Sequence, residues 1–160
     1  MESFPALVFG LAGAPLLIFW FLIVFLPKWS WTDKIYRTRL PMIYLAVLYS
    51  TVVIYGLIVD PAPFAILLDP DLPGVQALLS SEIGASAGWI HFLCFDLLVG
   101  TIIWRRALEK GHSFFWVSPT LVLTLFLAPM GWLIFEVTTF LLTKVSSQKS
   151  RSDRAPTGLS

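Results

Sequence analysis

Residues 84–104 read GASAGWIHFLCFDLLVGTIIW, and this stretch decides the class of fold to which the chain belongs. It is 21 residues long and predominantly apolar, which suits a helix that crosses ~30 Å of hydrocarbon with about 20 residues. It nevertheless carries His91 and Asp96. An ionisable side chain near the middle of a membrane helix costs about 2.5–3.5 kcal/mol on insertion scales, so each needs a partner, a wet cavity or a function.

The composition of the whole chain indicates a membrane protein. Hydrophobic residues make up 57% and charged residues 13% of the 160 residues, and the mean hydropathy is +0.80. Soluble domains are about 45–50% apolar and about 25% charged. The single cysteine, Cys94, excludes an internal disulfide and a cysteine-based metal cluster. Neither a basic stripe nor a nucleotide-binding motif is present, so we expect no nucleic acid, no cofactor and no metal site.

Four hydrophobic segments are long enough to span a bilayer, and we predict an all-α, polytopic membrane protein, a bundle of four transmembrane helices. Helices are predicted because a backbone in lipid must satisfy its own hydrogen bonds. Residues 1–145 are expected to form a single membrane domain in which the first span is more peripheral than the others, and residues 146–160 a disordered polar tail. The four predicted spans are residues 4–26, 41–59, 84–104 and 119–142.

The charges of the connecting loops predict the orientation. Residues 27–40 and 105–118 are basic, whereas residues 60–83 contain four acidic residues and neither lysine nor arginine. The positive-inside rule therefore places both basic loops in the cytoplasm or stroma, with both termini on the other side. The basic tail after residue 143 argues against this arrangement, because four spans would place it outside.

In the acidic loop we expect a short interfacial helix after Pro73, with a re-entrant segment as the alternative.

The depths of the polar residues suggest which of them meet. In antiparallel third and fourth spans, His91 lies about 10 Å and Glu136 about 9 Å from the outer ends of their helices, so the two are predicted to face each other. Asp96 lies about 18 Å from the outer end, near the middle of the bilayer. Asp96 shares a helix stripe with Trp89 and Phe92.

These polar residues have two interpretations. They could lock helices together through hydrogen bonds, for which Tyr55 on the second span lies near the level of His91. Alternatively, a carboxylic acid kept neutral by apolar surroundings can donate or shuttle a proton.

Three segments carry a resemblance to a known family: ASAGWIHFLCFDLLVG at 85–100, RRALEKGH at 105–112 and LTLFLAPMGWLIF at 123–135. They resemble the abscisic-acid-deficient-four-like family of small membrane proteins, over about residues 15–142. Plant members are required for neoxanthin formation from violaxanthin. The resemblance falls on Trp89, His91, Asp96 and Leu97, and later on Pro129 and Gly131. The chain departs from the family pattern at Thr101, where a basic residue often stands.

The resemblance implies a membrane-embedded factor of carotenoid (xanthophyll) metabolism, and we expect an isomerase that opens xanthophyll epoxides. An acidic residue would donate a proton to the epoxide, and His91 would remove one from carbon. The alternatives are a non-enzymatic membrane subunit that binds a pigment or a complex, and a small proton-coupled transporter. The candidate catalytic residues are His91, Asp96 and Glu136, and the candidate substrate-binding residues are Trp89, Phe92 and Tyr55.

The expected surroundings follow from the same reasoning. The expected partners are the lipid bilayer, a carotenoid-like lipid substrate or pigment, and a second membrane protein. The expected location is a bacterial inner or thylakoid membrane, or a chloroplast membrane if the lineage is plastidic.

Overall fold

The computed structural model describes residues 3–152, and the helices account for nearly all of them. The described residues contain no strand, which confirms the all-α prediction. A short 3₁₀ helix, Ala62–Leu67, lies in the acidic loop. The seven α-helices are α1 (Phe4–Phe25), α2 (Ser30–Arg37), α3 (Leu40–Val59), α4 (Leu72–Ser80), α5 (Glu82–Glu109), α6 (Phe114–Phe126) and α7 (Ala128–Ser152).

Helices α1, α3 and α5 are each long and apolar enough to cross a membrane. Helices α1 and α5 run parallel. The Ser3 hydroxyl, at the start of α1, hydrogen-bonds the Glu82 carboxylate at the start of α5. The Trp104 indole N–H, near the other end of α5, donates to the carbonyl of Pro27, just beyond α1, at 2.9 Å.

Helix α3 runs antiparallel to α1, and one hydrogen bond between them replaces a helical hydrogen bond that a proline in α1 removes. Pro15 has no N–H, so the carbonyl of Leu11, four residues earlier, loses its usual helical donor. The Tyr44 hydroxyl on α3 donates to that carbonyl at 2.6 Å. At the opposite end of α3, the Tyr55 ring packs on the Phe4 ring with centroids 4.7 Å apart.

Helix α1 is central, so the prediction of a peripheral first span is wrong. Trp20 is only 2% exposed and its ring lies against Gly100 of α5, where a Cβ atom would collide with it. Such small residues allow helix backbones to approach closely. The buried residues of α1 are Pro5, Val8, Ala12, Leu16, Trp20, Leu22, Ile23 and Val24.

The predicted fourth span, 119–142, is not one continuous helix. Helix α6 ends at Phe126 and α7 begins at Ala128. Pro129 supplies no N–H, so its place in the first turn of a new helix is favourable, because the first N–H groups of a helix have no helical acceptor. With 13 residues, α6 is about 20 Å long, too short to cross ~30 Å of hydrocarbon. The fourth span is therefore corrected to two helices.

Helices α6 and α7 form a tight antiparallel hairpin. At its tip, Gly131 lies against Thr124, whose side chain and backbone would collide with a Cβ at position 131. Further from the tip, the Trp116 and Phe135 rings stack with centroids 5.7 Å apart. Helix α7 therefore returns to the end of the molecule from which α6 started. We call this the basic end, defined by residues 27–40 and 105–113.

The acidic loop and the C-terminal tail both contain helical structure. The loop contains the expected short helix as α4, which Asp71 caps by accepting a hydrogen bond from the N–H of Gly74 at 2.8 Å. The Ser81 hydroxyl caps α5 in the same way at Gly84, so α5 begins at Glu82, two residues before the predicted start. Helix α7 continues to Ser152, so residues 146–152 of the expected disordered tail are helical. Residues 153–160 lie outside the described residues.

Candidate functional site

The α6–α7 hairpin leaves a cavity of about 970 Å³ beyond its tip. The hairpin covers the groove beside α5 only from the basic end to about mid-length, because α6 is so short. Towards the end of α5 that lies opposite the basic end, the hairpin leaves three aromatic side chains uncovered. Trp89, Phe92 and Phe95 are 48%, 58% and 51% exposed. The lining residues are Gly13, Leu16, Leu17, Trp89, His91, Phe92, Leu93, Phe95, Asp96, Val99, Ile102, Leu125, Phe126, Leu127, Ala128, Pro129 and Trp132.

His91 and Asp96 are the only ionisable groups among the residues that line the cavity. Asp96 lies at the middle of α5 and is half-buried. Its carboxyl group makes no hydrogen bond or ion pair with any group in the part of the chain that the structure describes. A polar group in apolar surroundings without a protein partner is free to bind a polar group of a ligand.

His91 is exposed, and aromatic rings lie beside it. Its imidazole lies 4.6 Å from the Phe95 ring and 5.4 Å from the ring of Tyr49 on α3, measured between ring centroids. His91 and Asp96 are five residues apart and therefore diverge by about 140° around the helix. They nevertheless share one cavity, because the cavity extends around the exposed α5 face that carries Phe92.

The structure brings together two of the three predicted substrate-binding residues. Trp89 and Phe92 line the cavity, and the Trp89 ring lies 6.1 Å from the Phe9 ring of α1. Tyr55 is not a lining residue, because its ring is packed against Phe4 at the far end of α3. The placement of Tyr55 in the site is therefore corrected.

Glu136 is also outside the cavity, and the predicted contact between His91 and Glu136 is wrong. The Glu136 carboxylate forms an ion pair with the Arg106 guanidinium, with a second N···O distance of 3.4 Å. Arg106 follows His91 by 15 residues, about 22 Å along the helix. The prediction assumed that α7 continues the direction of α6, whereas α7 runs back towards the basic end.

Aromatic rings support this ion pair. The Arg106 guanidinium lies 5.3 Å from the Trp132 ring and 5.7 Å from the Phe135 ring. Cation–π contacts of this kind stabilise an arginine where water is scarce. Glu136 and Arg106 therefore hold the hairpin against α5 and do not contribute an acid to the cavity.

Sequence reasoning missed the parts of the cavity that come from other helices. One wall of the cavity comes from α1, through Gly13, Leu16 and Leu17. The hairpin tip, residues 125–129, forms the boundary of the cavity that faces the basic end. The α1 residues carry no polar signal that could have marked them. The tip had one signal in the sequence, since Pro129 interrupts an otherwise apolar run.

The match to a known family covers the whole of this site. A model of the ABA DEFICIENT 4-like family matches residues 7–135. The chain belongs to the ABA DEFICIENT 4-like family. The matched region contains every residue that lines the cavity and ends one residue before Glu136.

A curated relative supports the same assignment. Protein ABA DEFICIENT 4, chloroplastic, from Arabidopsis thaliana is 30% identical over 110 residues, which cover 64% of this chain and 48% of the relative. The chain therefore matches about half the length of that relative. No solved structure matches the chain.

Proposed function

We propose that the protein is a membrane-embedded factor of xanthophyll metabolism, and that it isomerises a xanthophyll epoxide in the cavity of about 970 Å³. One observation carries the proposal: an apolar, aromatic cavity contains two ionisable groups, one of which, Asp96, has no hydrogen-bond or ion-pair partner among the described side chains and backbone. Family membership and the resemblance of residues 85–100 support the substrate class.

The shape of the cavity suits a long apolar substrate with one polar end group. Trp89, Phe92 and Phe95 offer half-exposed aromatic surfaces on which a conjugated chain could stack. The part of the groove beyond the hairpin tip is not covered by α6 or α7, so such a substrate could enter sideways from the bilayer.

The proposed reaction moves protons without an oxidant or a reductant. The Asp96 carboxylic acid protonates the epoxide oxygen, and the C–O bond to the adjacent ring carbon breaks, which leaves a hydroxyl group and a cationic carbon. His91 then removes a proton from a neighbouring carbon, and the electron pair of that C–H bond forms a new double bond. The product is an isomer of the substrate. Return of the proton from His91 to Asp96 completes the cycle.

The proposed arrangement in the membrane follows from the helices. Helices α1, α3 and α5 cross the bilayer, and the α6–α7 hairpin enters and leaves at the basic end. A helix break at membrane depth is tolerated where it faces protein or a cavity, as the Leu127–Ala128 tip does. We place the basic end on the cytoplasmic or stromal side of the membrane. The membrane itself is a bacterial inner membrane, a thylakoid membrane or another plastid membrane.

The test is a direct assay of the purified protein. The protein is purified in mild detergent, bound pigment is extracted, and a xanthophyll epoxide is then added and followed by chromatography and mass spectrometry. We expect a product of unchanged mass and altered absorption spectrum. A pigment that binds without turnover would support the non-enzymatic subunit instead. If neither binding nor conversion occurs, the proposal is overturned.

A further inference from the structure

A second, smaller cavity of about 310 Å³ lies at the basic end, between α5 and the junction of α2 with α3. It shares no residue with the cavity that contains Asp96. Its lining residues are Tyr36, Arg37, Arg39, Pro41, Met42, Leu98, Thr101 and Arg105.

The cavity contains positive charge that the described protein does not neutralise. Of its three arginines, Arg37 is paired with Asp33 at 2.6 Å. Neither Arg39 nor Arg105 has an acidic partner anywhere in the part of the chain that the structure describes. Two guanidinium groups that line one cavity without carboxylates favour an anion there, and guanidinium geometry suits phosphate particularly well.

The backbone at this site is held in an unusual conformation. Arg39 has φ 58° and ψ 11°, the left-handed region that residues other than glycine seldom adopt. This conformation turns the chain sharply from α2 into α3. On the opposite wall, Arg105 follows Trp104, which is fully buried and hydrogen-bonded to Pro27. Both arginines therefore extend from well-defined positions.

The position of the cavity indicates where its ligand comes from. Trp29 and Trp31, at the start of the α2 helix whose other end borders the cavity, are 47% and 54% exposed, as is typical of tryptophans at the headgroup level of a bilayer. Pro41, Met42 and Leu98 give the cavity an apolar side next to its arginines. A free phosphate ion would leave that apolar side unused, whereas a phospholipid would place its glycerol and acyl carbons there.

We propose that this cavity binds the phosphate headgroup of an anionic phospholipid from the leaflet at the basic end, with Arg39 and Arg105 as its ligands. The site is separate from the proposed chemistry of Asp96, so lipid binding does not depend on catalysis. Basic pockets between membrane helices are known to bind such headgroups.

The experiment measures lipid binding to the full chain in a neutral detergent. Phosphatidylglycerol, phosphatidylcholine and inorganic phosphate are titrated separately, and bound lipid is counted by native mass spectrometry. The wild-type protein is expected to prefer phosphatidylglycerol over phosphatidylcholine. Arg39→Gln combined with Arg105→Gln should weaken phosphatidylglycerol binding about tenfold or more, since two charge-assisted contacts are lost.

The matched control removes two positive charges from the same end of the molecule, outside the cavity. Lys28→Gln combined with Lys110→Gln should leave phosphatidylglycerol affinity within about twofold. An equal loss in this control would mean that only general surface charge matters and would overturn the site.

Complete displacement of the lipid by inorganic phosphate would overturn the assignment to a phospholipid. Arg39→Lys with Arg105→Lys, which keeps the charge, should bind more tightly than the glutamine pair, and equal binding by the two pairs would overturn the role of charge.

Discussion

Glu136 of α7 is paired with Arg106 in the last turn of α5, so the middle of α7 lies at the end of the molecule where α6 begins. The α6–α7 hairpin therefore starts and finishes at the basic end. This arrangement reduces the conflict in the charge distribution, because Lys144 of α7 then lies towards the same end of the molecule as the basic loops.

The first prediction concerns topology. A reporter fused after Ser160 should lie on the same side of the membrane as a reporter inserted near Lys34, and a reporter before Met1 should lie on the opposite side. The physical reason is that, among residues 3–152, α1, α3 and α5 are the helices both long and apolar enough to cross the bilayer, whereas α7 turns back towards the basic end. Measurement with a paired alkaline phosphatase and fluorescent protein reporter checks this. The three-span arrangement fails if the two terminal reporters lie on the same side.

The second prediction concerns the ion pair. Glu136→Gln should lower the free energy of unfolding by about 1 kcal/mol, because the paired side chains are 33% and 35% exposed and the interaction is partly screened. Arg106→Gln should cost a similar amount or more, since its contacts with Trp132 and Phe135 are also lost.

A double-mutant cycle isolates the coupling between Glu136 and Arg106. The double variant should be more stable than the sum of the single effects predicts, when unfolding is followed in detergent. Conversion of the xanthophyll by Glu136→Gln should fall only as far as stability does. A complete loss of conversion in a stable Glu136→Gln protein would instead assign Glu136 a catalytic role.

The third prediction concerns the proline in α1. Tyr44→Phe should destabilise the protein by about 1 kcal/mol, because the carbonyl of Leu11 then has neither a helical N–H nor the tyrosine hydroxyl as a donor. In a Pro15→Ala background, residue 15 again supplies an N–H to that carbonyl, and Tyr44→Phe should cost clearly less. Thermal unfolding of the four proteins measures the difference. Equal costs in both backgrounds would show that the hydrogen bond does not compensate for Pro15.

The fourth prediction separates chemistry from packing at Asp96. Asp96→Asn keeps the size of the side chain and removes its titratable proton, so conversion of the xanthophyll epoxide should fall at least about a hundredfold. Stability should be almost unchanged, since the Asp96 carboxyl has no hydrogen-bond or ion-pair partner in the described structure. The control is Glu109→Gln, an exposed carboxylate at the end of the same helix, which should keep full activity. Full conversion by Asp96→Asn would remove the proton donor from the proposed mechanism.

The fifth prediction concerns pH. Burial and the nearby Lys110 lower the pKa of His112 below its ordinary value of 6.5. The folded protein thus binds this proton less readily than the unfolded chain, so the contribution of His112 to stability is present above pH 6.5 and is lost as the pH falls towards the lower folded value. The unfolding temperature of the wild-type protein should therefore drop more between pH 7.5 and 5.5 than that of His112→Gln. Identical pH profiles would contradict this prediction.

Much of the architecture could be predicted from local patterns in the sequence. The helices α1, α3 and α5 follow from apolar runs of sufficient length, although α5 begins at Glu82 rather than at the predicted residue 84. Asp96 and its stripe with Trp89 and Phe92 follow from helical periodicity, and all three line the cavity. These features depend on residues close together in the chain, so hydropathy and periodicity are sufficient to find them.

The direction of α7 was decided only by the tertiary structure. Hydropathy treats residues 119–142 as one run, because it cannot distinguish a helix that crosses the bilayer from two that turn back at Pro129. The contact of Gly131 with Thr124 and the pair of Glu136 with Arg106 close the hairpin, and both join residues from different helices. Whether a polar residue lies in the cavity or in an ion pair depends on such packing. The sequence by itself therefore determined the membrane helices and the polar residues of α5, whereas the packing of the hairpin decided which of those polar residues have partners.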